Sequence, residues 1–169
     1  MSYAVVYSSK TGNTEMLANA IHELLQDQEC LYIGQPSEKA LKADRVYVGF
    51  WTQRGQCCEE IATFLKTLTH QKVFLFGTAG FGQDHEYFQD VLDRSINFIS
   101  RTTPLVGTYM CQGKMPMSVR ERYEHLKEDD PENEKIDGMI ENFDKALSHP
   151  NNEDIQELKS MVLHELLED

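Results

Sequence analysis

Long apolar runs are missing from this 169-residue chain. No stretch approaches the roughly 18 consecutive apolar residues of a membrane-spanning helix, so no membrane insertion is expected. Cysteine is scarce. Cys30, Cys57, Cys58 and Cys111 form no Cys-x-x-Cys pair and have no partner histidine spacing, which argues against a metal site and for a reduced, cytoplasmic protein. The six histidines show no His-Glu-x-x-His pattern. Cations are outnumbered, 16 Lys/Arg against 28 Asp/Glu for a net charge of −12. Nucleic acid is therefore not expected as a partner, because it requires clustered positive charge. The chain also lacks a Gly-x4-Gly-Lys-Ser/Thr loop, a Cys-x5-Arg loop and a completed Gly-x-Gly-x-x-Gly. An apolar strand begins by residue 3, which is expected to leave no room for a signal peptide.

What is present alternates in type. Apolar runs predict strands at Tyr3–Tyr7, Leu31–Gly34, Arg45–Phe50, Lys72–Gly77 and Leu105–Cys111. Amphipathic stretches predict helices at Thr14–Leu25, Cys57–Leu68 and His85–Ile99 between them. Such alternation implies right-handed crossovers and a mostly parallel sheet. The runs VVY, VYVGF and VFLF are almost continuously apolar, as strands covered on both faces are. The expected fold is α/β, a doubly wound five-stranded parallel sheet forming a single domain over residues 1–169.

After the fifth strand the pattern becomes helical. Ser118-x-x-Glu121 has the form of a capping box, with Val119, Tyr123 and Leu126 turned inward. Asp130-Pro131 reads as the cap and first residue of another helix, with Ile136, Met139, Ile140, Phe143 and Leu147 on one face. A third helix, carrying Ile155, Leu158, Val162 and Leu166, starts after Pro150 and completes the sheet, leaving residues 112–150 as a helical insertion. Residues 115–169 hold 6 Lys/Arg against 16 Asp/Glu, so most of the acidity lies here. It either forms solvated helix faces or steers a basic partner.

Ligands of open α/β sheets bind beyond the carboxyl ends of the strands. Three unusual loops lie there. In Ser9-Lys10-Thr11-Gly12-Asn13-Thr14, Gly12 permits a tight bend and a helix begins immediately afterwards, so free N–H groups and a positive dipole end meet in one place. This suits a single phosphate monoester held by neutral hydroxyls and amides. The second loop, Gly49-Phe50-Trp51-Thr52-Gln53-Arg54-Gly55, puts the only Trp where the chain should be exposed. The third, Gly77-Thr78-Ala79-Gly80-Phe81-Gly82-Gln83-Asp84-His85, is small enough for main-chain amides to approach a ring edge.

Ser/Thr-x-Thr-Gly-x-Thr after the first strand resembles the FMN-phosphate loop of the flavodoxin family, and the other two loops follow in that family's order. The resemblance covers residues 3 to about 111 and the final helix. It implies non-covalent FMN, a 2-1-3-4-5 strand order and electron transfer between partner proteins. It also implies that Ser9 to Thr14 hold the phosphate and that Trp51 stacks on the flavin, unless that ring packs under the sheet edge instead. Thr78, Ala79, Gly80 and Gly82 would face the flavin pyrimidine through their backbone, and Phe81 or His85 would supply the second face. The chain departs from the family in its second loop, where Arg54 stands without an acid; a cation near the ring favours the reduced anion. A finer similarity is to short flavodoxin-like proteins that accompany larger reductases of the bilirubin-reductase kind. Two functions are expected in order of preference, an electron carrier serving a redox partner protein and an FMN-dependent NAD(P)H:quinone or azo reductase. The adjacent Cys57 and Cys58 suggest redox chemistry, but Cys57 is in phase with Ile61, Phe64 and Leu68 and reads as core.

Overall fold

The computed structural model describes every residue except Gln83. Among the described residues there are six strands and six α-helices: β1 (Ser2–Tyr7), α1 (Asn13–Leu24), β2 (Glu29–Gly34), β3 (Arg45–Gln53), β4 (Gln56–Cys57), α2 (Glu59–Leu65), β5 (Lys72–Ala79), α3 (His85–Ile96), β6 (Leu105–Gln112), α4 (Met117–Asp129), α5 (Glu134–Ala146) and α6 (Asn152–Leu167). The main sheet runs β2-β1-β3-β5-β6 with every neighbouring pair parallel. This is the expected 2-1-3-4-5 order, renumbered because the short β4 intervenes. β4 pairs antiparallel with the end of β3, Thr52 opposite Cys57 and Gln53 opposite Gln56. The turn between them places both Arg54 and Gly55 at positive φ, 54° and 79°.

Strand alternation divides the core in two. Ala4, Val6, Val46, Val48, Phe50, Val73 and Leu75 face α2 and α3, whose Ile61, Phe64, Leu65 and Val91 close that layer. Tyr3, Val5, Tyr47, Phe74 and Phe76 face the other way, onto Leu17 and Ile21 of α1 and Leu158 and Val162 of α6. Both Cys57 and Cys58 are buried, and burial pushes the Cys57 thiol up to about 11 and the Cys58 thiol upward as well. Neither is poised as a thiolate.

The helix ends differ from the sequence expectation. Cys57 belongs to β4, so α2 starts at Glu59, and α3 stops at Ile96. The Ser118 box does not form, because α4 already begins at Met117 behind Pro116 and has no side-chain cap. Asn133, rather than Asp130, caps α5 by accepting from the Lys135 N–H. The capping box that does form is at α6, between Asn151 and Asp154. Ile136 and Phe143 are buried, whereas Leu126 and Leu147 are exposed.

α6 is locked to the sheet by charge. Arg45, fully buried at the start of β3, donates from Nη1 to Glu165 Oε2 at 2.8 Å and also pairs with Asp169, which Lys72 reaches at 2.5 Å. Burial raises the Glu165 pKa against the pull of Arg45. Removing one member leaves a buried charge half-compensated. Glu165→Ala is therefore expected to lower the unfolding free energy by about 3 kcal/mol, and Arg45→Met combined with Glu165→Leu to recover most of that loss, both read by urea denaturation.

Candidate functional site

The carboxyl ends of β1, β3, β5 and β6 share one edge of the sheet, and the loops leaving them are tied together by threonine hydroxyls. Thr14 Oγ1 donates to the Phe50 carbonyl at 3.2 Å and lies 3.1 Å from Thr78 Oγ1. Thr52 Oγ1 donates to the Thr78 carbonyl at 2.8 Å. The Thr14 side chain is thus buried and ties the loops together.

The β1–α1 turn has a different character. Gly12 caps α1 in the left-handed conformation, φ 86°, and supplies no side-chain acceptor. Ser9 Oγ accepts from the Glu15 N–H at 3.3 Å, and the Gly12 carbonyl accepts from the Met16 N–H at 3.1 Å. The N–H groups of Thr11, Gly12, Asn13 and Thr14 meet no acceptor among the described residues. A Cβ at position 12 would have nothing within 4 Å, so the turn faces open space. Donors left free at a helix N-terminus are the kind of group an anion can take up.

Beside this turn lies a cavity of about 390 Å³. Lys10, Thr11 and Asn13 come to it from the first loop, Trp51 and Thr52 from the second, and Thr78, Ala79 and Gly80 from the third. Trp51 packs one part of its surface on the core and turns another to the cavity, with Lys10 Nζ 5.1 Å from its ring centroid. The remaining wall comes from the start of the insertion: Gly113 to Pro116, then Ser118, Val119 and Arg122 of α4. The Lys114 carbonyl accepts from Asn13 Nδ2 at 2.9 Å, and the Gly80 carbonyl accepts from Gln112 Nε2 at 3.1 Å and Asn142 Nδ2 at 3.0 Å. Met115 packs against Gly80, where a Cβ would come within 2.5 Å of its Cγ.

Other sequence-predicted residues stand elsewhere. Gln53 and Arg54 leave with the hairpin turn and line a separate depression with Lys66 and Phe98, while Arg94 Nη1 donates to the Gly55 carbonyl at 3.3 Å. His85 opens α3 behind its cap Asp84 and, with Gly82, lines a separate groove beside Tyr109 and His149. Phe81 is 44% exposed at the tip of that loop. Gln83 lies outside the described residues. In the sequence, Gln112 to Lys114 read as the start of the insertion. Val119 reads as an inward helix position rather than a site residue, and Met115, Arg122 and Asn142, for which no local motif exists, are not singled out.

A family model described as a flavodoxin domain matches residues 4–163. The chain is 34% identical to the flavodoxin-like domain-containing protein BilS of Clostridium symbiosum, over 96% of this chain and 95% of that protein. It is 28% identical to the BilS protein of Clostridioides difficile, over 93% and 92%. Among solved structures it is similar to the Streptococcus pneumonia TIGR4 flavodoxin, with a TM-score of 0.64 at 17% identity and 100% of both chains covered.

A β-branched residue at position 12 would meet the φ > 0 penalty and fill the space above the free amides. Gly12→Val is expected to leave a folded protein whose affinity for FMN is weaker by about two orders of magnitude or more, measured by fluorescence titration.

Proposed function

The chain belongs to the flavodoxin family, and from that premise we propose that it is an FMN-binding electron-transfer protein that carries electrons between redox partner proteins. One observation carries this reading: an aromatic wall and a pinned small-residue loop meet at one cavity beside a turn whose amides have no acceptor among the described residues. The residues fit FMN. The free N–H groups of Thr11 to Thr14 suit a terminal phosphate, and the open space over Gly12 leaves room for it. The cavity volume lies within the range of small-ligand sites, about 300–1,000 Å³. Trp51 offers a flat apolar surface to a ring.

FMN, when bound, supplies a ring that takes electrons from one partner and gives them to another. The chain's own part is to hold and shelter that ring. The amides at 11–14 bind and orient the phosphate, which fixes the position of everything attached to it. Gln112 and Asn142, by fixing the Gly80 carbonyl, hold the orientation of the third loop. Met115, Pro116 and Val119 put apolar surface on one wall and exclude water there. We further propose that the site residues are those of the first loop together with Trp51, Thr52 and Thr78 to Gly80. On this account Arg54 and His85 lie outside it, a reading their placement in other depressions supports.

The partner we propose is a larger reductase, of the bilirubin-reductase kind that the sequence resemblance names. All four cysteines are free thiols, which suits a reducing, cytoplasmic setting. Among the described residues no helix is long and apolar enough to cross a membrane.

Anaerobic titration of the FMN-loaded protein with NADH and NADPH tests the carrier reading. A carrier is expected to remain oxidised on the timescale of turnover and to be reduced once a reductase is added. Direct, catalytic reduction by the nicotinamide would make it an FMN-dependent reductase instead.

A further inference from the structure

The charge lining the cavity runs against the composition of the chain. Three cations, Lys10, Lys114 and Arg122, contribute to its wall, and among the described residues no carboxylate does. They come from three separate segments, the β1–α1 turn, the exit of β6 and α4. None has a carboxylate within 4.0 Å among the described residues. Two acids of the insertion are engaged elsewhere, Asp144 with Arg120 and Asp137 with Lys127 at 2.8 Å. Lys10 holds its ammonium 5.1 Å from the Trp51 ring centroid, and the Arg122 guanidinium lies 5.7 Å from the Tyr123 ring centroid. Lys114 is anchored at its backbone, its N–H donating to the His149 carbonyl at 3.0 Å and its carbonyl accepting from Asn13.

We infer that Lys10, Lys114 and Arg122 tune the redox preference of the site, so that it binds reduced flavin more tightly than a charge-neutral cavity would. The inference rests on the FMN reading above. Uptake of two electrons and one proton converts a neutral ring into one bearing a single negative charge; the electrons come from the redox partner or, in the test, from dithionite. A cation beside the ring is attracted to the charged form and indifferent to the neutral one. The phosphate carries the same charge in both redox states. Cations acting only on the phosphate would hold both states equally, and riboflavin, which has none, separates the two roles.

The experiment is a set of anaerobic affinity measurements at low ionic strength, for oxidised and dithionite-reduced FMN and riboflavin. Wild type is compared with a Lys10→Gln, Lys114→Gln, Arg122→Gln triple variant. The triple variant is expected to lose about tenfold more affinity for reduced than for oxidised flavin, with both ligands. That corresponds to a two-electron potential lower by about 30 mV. Raising the salt on the wild type is expected to narrow the same gap. If the triple variant does not fold, Arg122→Gln alone and the salt series read the same quantity. Equal losses for both redox states, or a gap seen with FMN and absent with riboflavin, would overturn the inference and leave the FMN reading standing. No binding of either flavin by the wild type would overturn both.

Discussion

Because β1, β3, β5 and β6 run in one direction, their carboxyl ends open on a single edge, and whatever leaves them must share that space. The β1–α1 turn is the costly member of the group. It reverses the chain through Gly12 at φ 86° and leaves the amides of residues 11–14 without an acceptor among the described residues. Such groups cost about 1–3 kcal/mol each if water is excluded and nothing replaces it. The other loops are drawn together by Thr14, Thr52 and Thr78, and among the described residues they offer these amides no acceptor. The turn becomes satisfied when an anion or water takes those donors, and the surrounding walls decide which anion.

The insertion is one of those walls. Its first residues continue β6 past the sheet edge and seat the Lys114 carbonyl on Asn13. From α5, Asn142 returns to the Gly80 carbonyl, held there by the burial of Ile136 and Phe143 and by the Arg120–Asp144 pair. The same arrangement sorts the charges. Acids of α4 and α5 meet Arg120, Lys127 and Lys145, while Arg122 is left at the cavity. The acidity counted along residues 115–169 is thus not repeated in the lining of the cavity itself.

The sheet was legible because its strands are covered on both sides. Val46 to Phe50 and Val73 to Phe76 read as continuous apolar runs, and alternate residues enter the two core layers. The hairpin to β4 was not legible: a two-residue strand carries no periodicity, and Arg54-Gly55 lacks the Asn-Gly or Asp-Gly signal of such turns. That miss moved Gln53 and Arg54 away from the cavity while Trp51 and Thr52 stayed at it. Helix starts in the insertion failed for a related reason. Ser118, Asp130 and Asn133 are all competent caps, and tertiary packing chose among them. Gly12 and Thr14 were found by motif, but that Thr14 would bind two other loops depends on the spacing between β3 and β5, which no local pattern records.

The central claim is that an anionic ring-bearing ligand, FMN, sits on the amides at 11–14 and against the wall built by the insertion. Amide NMR of the isotopically labelled protein during FMN titration tests it most directly. The largest shifts are expected at Thr11 to Thr14, at Gly80 and from Lys114 to Val119, together with the Trp51 indole N–H. Unchanged resonances there, or shifts centred on the groove lined by His85, Tyr109 and His149, would contradict it.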